Sequence, residues 1–239
     1  MLIPTMNRYE LIEKLPKGGI VAEIGVWEGN LSQAILEQTE PSILYLIDSW
    51  GPTENPKYDF DPAYGSMDDG ERCYRGILNK FEKEISIGQV QIVRSLSSKC
   101  LDMFPDNYFD WIYIDADHSY KGALTDLQLY APKVKREGFI LGHDYTQGAM
   151  YGWDFGVIEA VNDFVYANKF HFLALTLREG FPSFVISKIY EREADDLLSN
   201  IVNNSSFTLD IDNFVDYKFS HTILKGNGKD VVLAKLKKG

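Results

Sequence analysis

Acidic side chains and histidines cluster after two apolar runs of the chain. Asp115, Asp117 and His118 follow one run directly, and His143 and Asp144 follow the next. If both runs are neighbouring parallel strands, these side chains meet at one edge of a sheet. Carboxylates that converge in this way repel one another unless a cation or a proton compensates them. The spacing therefore indicates acid–base chemistry or a divalent-cation site.

A glycine-containing turn follows the first apolar run. Glu23, Gly25 and Gly29 lie in the sequence Glu-Ile-Gly-Val-Trp-Glu-Gly, which leads directly into a helical pattern. The glycines let the backbone pass close to a ligand, and an acid at a strand end suits a cationic amino group. The spacing differs from the Gly-x-Gly-x-x-Gly fingerprint of dinucleotide-binding proteins.

Asp48, with Ser49 after it, closes the second apolar run. An acid at this position can accept hydrogen bonds from both hydroxyl groups of a ribose. The alternative is an aspartate that serves only a turn or a helix cap.

Small polar residues end the third run. Ser95, Leu96 and Ser97 stand where an adenine ring usually binds in such sheets, although the serines could instead cap the next helix. Asp117 or Ser119 could likewise cap the helix that follows them.

Five short apolar runs that are rich in β-branched and aromatic residues predict buried strands at 20–24, 43–47, 90–93, 111–114 and 139–141. Helical patterns lie between them, at 31–37, about 69–84 and 120–134. This alternation predicts a doubly wound α/β fold with a mainly parallel sheet. A tight turn at Gly180 and Pro182 joins two later runs, 170–177 and 183–189, which must be antiparallel. We therefore expect a seven-stranded sheet.

Two segments fall outside this core. An insertion at 51–68 follows the second strand, and a tail at 191–239 carries one amphipathic helix and a hairpin signal around Gly226. We expect a domain over 1–190 and a C-terminal extension over 191–239. Aromatic side chains of the insertion and of a later loop would suit a sugar face or an aromatic ring: Tyr58, Tyr64, Tyr151 and Trp153.

The composition argues against two classes of partner. The net charge is −11, whereas a nucleic-acid groove needs clustered lysine and arginine. No apolar run approaches the ~20 residues of a membrane-spanning helix, and the N-terminus does not resemble a signal peptide. Cys73 and Cys100 are far apart and are expected to be reduced thiols. We expect a cytoplasmic protein.

Together, these motifs resemble class I S-adenosylmethionine-dependent methyltransferases. The glycine turn, the strand-ending Asp48, and the sequences Tyr-Ile-Asp-Ala-Asp-His-Ser-Tyr and Gly-His-Asp-Tyr carry the resemblance over roughly residues 8–190. They look closest to the bacterial branch that includes the macrocin and aminocoumarin sugar O-methyltransferases. The Rossmann-like methyltransferase fold follows as an expectation.

The resemblance also implies roles for individual residues. Glu23, Gly25 and Gly29 would hold the methionine part of the cofactor. Asp48 and Ser49 would bind the ribose, with Ser95, Leu96, Ser97 and Asp115 completing the cofactor site. Asp115 and Asp144 match positions that bind Mg²⁺ in the sugar-modifying members, which tend to have two acids after the fifth strand; here His143 replaces the first of that pair and is the third candidate ligand. Because Mg²⁺ prefers oxygen ligands, His143 either argues against a metal or indicates a softer ion such as Mn²⁺. Asp117 or His118 would act as the general base.

The predicted function is therefore methyl transfer to an oxygen of a small-molecule acceptor, a glycoside hydroxyl or a phenol. Two rivals remain: a non-catalytic module that binds S-adenosylmethionine, and a nicotinamide-dependent oxidoreductase with Asp48 on its ribose. The acids after the fourth and fifth apolar runs would have no function in a module that only binds the cofactor. The spacing of the glycines disfavours the oxidoreductase. Apolar pieces of the tail would allow a homodimer.

Overall fold

The computed structural model describes most of the chain: residues 1–55, 57, 62–150, 153–212, 214, 217–225 and 230–238. The strands are β1 Leu2–Pro4, β2 Ile20–Ile24, β3 Ile43–Asp48, β4 Val90–Arg94, β5 Phe109–Ile114, β6 Val134–Gly142, β7 Gln147–Met150, β8 Trp153–Gly156, β9 His171–Leu175, β10 Phe184–Ser187, β11 Thr208–Asp210, β12 Tyr217–Lys225 and β13 Asp230–Lys238. The α-helices are α1 Arg8–Ile12, α2 Asn30–Thr39, α3 Met67–Lys80, α4 Glu82–Ser86, α5 Tyr120–Tyr130, α6 Val157–Asn168 and α7 Arg192–Asn204.

The central sheet confirms the predicted α/β architecture. Its strand order is β11-β1-β9-β10-β6-β5-β2-β3-β4, and β2 to β6 pair with one another in parallel. Strand β10 runs antiparallel to both β6 and β9, as the tight turn between the late runs requires. All carboxyl ends of the parallel strands therefore meet at one edge, where ligands bind in such sheets.

The expected count of seven strands was wrong, because within the described residues the sheet has nine. Strand β1 pairs with β9 in parallel and with β11 in antiparallel orientation, so both extend the sheet at one side. Each has only three residues, too few to show an alternating pattern. They form because the edge of β9 offers unpaired backbone groups that another strand can satisfy.

Two helix boundaries also differ from the expectation. The predicted helix 120–134 ends at Tyr130, a 3₁₀ turn with Pro132 follows, and β6 begins at Val134. Proline lacks the N–H that would continue the helix. The predicted helix 69–84 is divided at Phe81 into α3 and α4.

The core fills both faces of the sheet. Ile112 and Ile140 belong to the cluster on one face, whereas Leu44 and Leu141 belong to the cluster on the other. Each is almost fully buried, which stabilises the fold by about 1.5–3 kcal/mol per side chain. The parallel strands are apolar on both sides because helices cover both faces.

The tail contributes to this core. Helix α7 buries Ala194, Leu197 and Ile201, and it packs against β1, β6 and β9. Strands β12 and β13 form the predicted antiparallel hairpin as a separate two-stranded sheet, while its turn at 226–229 lies outside the described residues. None of the described helices is long and apolar enough to cross a membrane.

Candidate active site

The turn between β2 and α2 brings the backbone close to the end of β5. Gly25 has φ 88°, and a Cβ there would lie 2.0 Å from the carbonyl oxygen of Asp115. Gly29 has φ 69° and precedes α2, and a Cβ there would strike Ile77. At Gly25 the approach is to backbone atoms that cannot give way, so this position requires glycine, whereas the contact at Gly29 is with the flexible end of a side chain. The predicted glycine turn therefore lies at the carboxyl edge.

Glu23 is fully buried beneath this turn. Its Oε2 accepts a hydrogen bond from the Ser32 hydroxyl on α2. Burial raises the pKa of Glu23 to about 8, although the Ser32 hydrogen bond opposes the shift. A buried acid at a strand end is a favourable site for a cationic group, because a cation would restore its ionised form.

Asp48 organises the loops around it. Its Oδ2 accepts from the main-chain N–H groups of Val26 and Trp27 at 2.7 and 3.0 Å and from the Tyr64 hydroxyl at 2.8 Å. Its Oδ1 accepts from the Trp50 N–H at 2.7 Å. This carboxylate thus joins the end of β3 to the glycine turn.

Two of the expected site residues beside Asp48 also make contacts within the protein. The Ser49 hydroxyl donates to the carbonyl of Pro52. Tyr64 was expected to face an acceptor, and this is wrong, because its ring is 5% exposed and its hydroxyl is committed to Asp48.

The loop after β4 lies beside Asp48. The N–H of Ser95 donates to the Asp48 carbonyl at 2.9 Å, and Leu96 is half-buried. The Ser97 hydroxyl donates to Asp126 of α5 at 2.6 Å. Burial raises the pKa of Asp126 to about 7, against the effect of that hydrogen bond. The three residues predicted for an adenine are therefore at the same edge as Asp48.

The acidic cluster is assembled at the ends of β5 and β6. Ile114 and Gly142 are directly paired, so Asp115 leaves the sheet beside His143, and Asp144 follows one residue later. Nδ1 of His143 lies 3.2 Å from Asp144 and 3.7 Å from Asp115. Nδ1 of His118 lies 3.3 Å from Asp144. Asp115, His118 and His143 line one small pocket at this edge.

The charged groups of this cluster shift the pKa values of one another. Burial favours the neutral form of His143, but the charges of Asp144 and Asp115 outweigh it and hold the pKa of His143 well above its usual value. Burial likewise opposes ionisation of Asp144, and His143 and His118 lower its pKa to about 2. The pair is therefore an imidazolium next to a carboxylate.

Two members of this cluster were not singled out from the sequence. Arg8 of α1 places Nη1 3.2 Å from Oδ2 of Asp115. Glu179, between β9 and β10, places Oε2 3.7 Å from Nε2 of His143. Both residues are far from the motifs along the chain, and no local pattern connects them to the site.

The predicted metal ligands are only partly brought together. Ligand atoms of Asp115, His118 and Asp144 lie within 4.8 Å of one another, a spacing that could hold a metal ion. His118, predicted as a base, thus belongs to this set. His143 lies against Asp144 and Glu179. Two carboxylates with an imidazole form a donor set that fits Mn²⁺ better than Mg²⁺.

Asp117 connects α5 to the insertion. Its Oδ1 accepts from the N–H of Ser119, which caps α5 by accepting from Gly122. Its Oδ2 accepts from the Asn55 side chain at 3.1 Å. The capping alternative is therefore realised by Ser119, while Asp117 supports the turn that precedes the helix.

Three residues of the insertion, Glu54, Asn55 and Lys57, cross the carboxyl edge, and we call them the strap. Glu54 accepts from Ser98 at 2.7 Å and pairs with Lys99 at 2.9 Å. Lys57 forms an ion pair with Asp154 of β8. Together with the contact between Asn55 and Asp117, these join the insertion to the loops after β4 and β5 and to strand β8.

An aromatic wall stands next to the cluster. The His118 ring stacks on Phe155 with 5.4 Å between the ring centroids and an angle of 10°, and Phe155 stacks on Phe181 in turn. Trp153 lies 5.5 Å from His118. Phe155 and Trp153 come from the hairpin β7–β8, which the sequence pattern did not indicate. Tyr58 and Tyr151, also expected here, lie outside the described residues.

Comparisons of sequence agree with this geometry. Residues 22–145, more than half of the chain, match the family described as Methyltransferase domain. Uncharacterized protein R132 of Acanthamoeba polyphaga mimivirus is 38% identical over 65 residues. That match spans 27% of this chain and 28% of the viral protein.

Solved structures share the fold at low identity. A protein described as an rRNA-methylase of Clostridium thermocellum superposes with a TM-score of 0.53, at 13% identity, over 77% of this chain and 94% of its own. A protein of Streptococcus mutans, described as a methyltransferase and solved with S-adenosylhomocysteine, gives a TM-score of 0.51 at 13% identity, over 76% and 95%. At such identities the likeness concerns the fold alone.

Proposed function

Because this chain belongs to the methyltransferase-domain family and is a class I S-adenosylmethionine-dependent enzyme, we propose that it methylates an oxygen atom of a small-molecule acceptor. The acceptor would be a glycoside hydroxyl or a phenol, as in the sugar O-methyltransferase branch. One observation carries the proposal: the His118–Asp144 pair faces an aromatic wall at the carboxyl edge. Within this wall, Phe155 is buried between His118 and Phe181 and supports the His118 ring. The half-buried Trp153 would offer a surface for a flat ring or a sugar face beside the base.

The cofactor would lie across the ends of β2, β3 and β4. S-adenosylmethionine supplies an electrophilic methyl group on a sulfonium. The turn that contains Gly25 and Gly29 would lie against it, and Glu23 would bind its ammonium group. Asp48 and Ser49 would contact the ribose, and Ser95, Leu96 and Ser97 the adenine, with Asp115 near the methionine part. These assignments are supported by the position of all these residues along one edge.

The chain's own task is to orient the acceptor and remove its proton. Asp144 lies at Nδ1 of His118, so the carboxylate would accept a hydrogen bond from that nitrogen and orient the ring. The other nitrogen, Nε2, would take the proton from the acceptor hydroxyl. The oxygen would then bond to the methyl carbon as the carbon–sulfur bond breaks, leaving a neutral thioether. Asp117, the alternative base, already accepts from Ser119 and Asn55.

The second form of this proposal is a mechanism in which a divalent cation assists the transfer. Asp115, His118 and Asp144 would hold it, and it would lower the pKa of the acceptor hydroxyl. Asp117 would then be the base, because His118 would be a ligand. Arg8 and His143 already compensate the two carboxylates, so their repulsion does not require a metal.

Turnover on a panel of glycosides and phenols tests the proposal. We expect His118→Gln and Asp144→Asn each to lower kcat by roughly 10²–10⁴-fold. Affinity for S-adenosylhomocysteine should stay within about threefold. His171→Gln is the matched control, because this exposed histidine contacts Tyr190 away from the cluster.

The outcomes separate the alternatives. Full activity of metal-free protein in EDTA supports His118 as the base, whereas loss that Mn²⁺ or Mg²⁺ restores supports the metal-assisted form. Binding of S-adenosylhomocysteine without methylation of any acceptor would contradict the proposal and leave a non-catalytic binding module.

A further inference from the structure

Arg8 brings a guanidinium to the carboxyl edge from outside the parallel-strand core. It is the first residue of α1, and its side chain is 26% exposed. One contact is made to Oδ2 of Asp115 at 3.2 Å. A guanidinium has five N–H donors in a planar fork, and among the residues that the structure describes this contact engages one nitrogen of the fork.

The surroundings of Arg8 are rich in carboxylates. Glu23, Asp115 and Glu179 all lie near enough to interact with its charge. Glu23 has Ser32 as its hydrogen-bond donor within the described residues. An acid next to a guanidinium is the arrangement that a zwitterionic amino acid requires, since each charged end then has a partner of opposite sign.

We propose that Arg8 binds the α-carboxylate of the methionine part of S-adenosylmethionine, while Glu23 binds its α-ammonium group. This inference rests on the proposed function. Without a cation, a carboxylate placed between Glu23 and Asp115 would be repelled by both. Arg8 can keep its contact with Asp115 and direct the other edge of its fork towards the ligand.

A purely structural role, fixing α1 on the core, is the competing explanation. Other groups already fix this helix. The main-chain N–H of Arg8 donates to Glu179 at 3.2 Å, and that of Arg178 donates to the carbonyl of Met6 at 3.0 Å. Asn7 caps the helix, and Leu11 is fully buried. Truncating the Arg8 side chain leaves all of these interactions in place.

Calorimetric titration with two ligands tests the assignment. The first ligand is S-adenosylhomocysteine, and the second is its decarboxylated analogue, which keeps the amino group. We expect Arg8→Ala to weaken binding of the first by roughly 10- to 100-fold, because charge-assisted hydrogen bonds are lost. Binding of the analogue should change by less than about threefold. Arg8→Lys should restore part of the affinity for the first ligand, since it keeps the charge without the fork.

Arg178→Ala serves as the matched control. This arginine pairs with Glu10 of the same helix but points to solvent, so its loss tests helix docking alone. The affinity of the Arg178→Ala protein for both ligands should equal that of the wild type.

Three results would contradict either the Arg8 assignment or the proposed function, and each has a different binding pattern. Equal affinity of Arg8→Ala and wild type for S-adenosylhomocysteine would refute the carboxylate contact. Equal weakening of both ligands would show a structural role instead. Failure of the wild type to bind S-adenosylhomocysteine would refute the proposed function itself.

Discussion

The carboxylates of the site are balanced by cations that come from different parts of the chain. Arg8 faces Asp115, and the raised pKa of His143 places an imidazolium beside Asp144. From the sequence, a divalent ion or a proton was expected to relieve the repulsion. The structure adds the guanidinium of Arg8 from α1. The sequence did not indicate this contact, because Arg8 lies more than a hundred residues before Asp115.

Glu23 gives a pH-dependent prediction. Its pKa in the folded protein is about 8, against a usual value of 4.5, and burial is the main cause. Between these values the folded state holds one proton more than the unfolded state, so its contribution to stability falls as pH rises. A ligand ammonium favours the ionised form. Affinity for S-adenosylhomocysteine should therefore rise with pH by up to about tenfold per unit below about pH 7.5.

Calorimetry in two buffers that differ in ionisation enthalpy measures this effect, because binding should release a proton. Glu23→Gln should abolish the slope, whereas Glu28→Gln, at an exposed acid of the same turn, should keep it. A wild-type affinity that does not vary with pH would show that the ammonium binds elsewhere.

At the scale of elements, the strap connects the insertion to the loops after β4 and β5 and to β8. Each contact is polar: Glu54 with Ser98 and Lys99, Asn55 with Asp117, and Lys57 with Asp154. Exposed polar contacts are individually weak, so the strap can open at small cost. It crosses the edge where cofactor and acceptor would bind, which suits a segment that closes over them.

We therefore expect cofactor and acceptor together to protect residues 51–68 from limited proteolysis. Glu54→Gln should increase cleavage there without ligands, because the contact with Lys99 loses its charge. Glu40→Gln, which removes another exposed ion pair, with Lys17 and away from the insertion, is the control. Equal cleavage with and without ligands would argue against closure.

At the scale of the whole molecule, the two ends of the chain complete the sheet together. Strand β1 lies between β9 and β11, and α7 covers β1, β6 and β9. The hydroxyl of Thr5 also contacts Ser206 at 2.8 Å. Helix α7 and the β11 region up to Ile211 therefore share the hydrophobic core of the methyltransferase fold, whereas β12 and β13 form a sheet of their own.

Ile201 of α7 tests this arrangement. It is 0% exposed, so Ile201→Ala should lower the free energy of unfolding by about 2–5 kcal/mol. Its neighbour Val202 is 47% exposed, and Val202→Ala should change that free energy by less than about 0.5 kcal/mol. Denaturant unfolding measures both. Equal effects of the two substitutions would mean that α7 does not share the core.

The sequence alone determined the parallel core and the position of Glu23, Asp48, Asp115 and Asp144 at its edge. Strand and turn signals are local, and parallel strands must end at the same edge, so these residues could be placed without coordinates. The β12–β13 hairpin was predictable for the same reason.

Only the tertiary structure decided which groups meet across long stretches of chain. Arg8 approaches Asp115 because α1 folds back over the sheet, and Glu179 reaches His143 from the β9–β10 turn. The edge strands β1 and β11 are too short to carry a pattern, and they form because the open edge of β9 accepts them. Such pairings depend on packing between distant segments, which no local periodicity records.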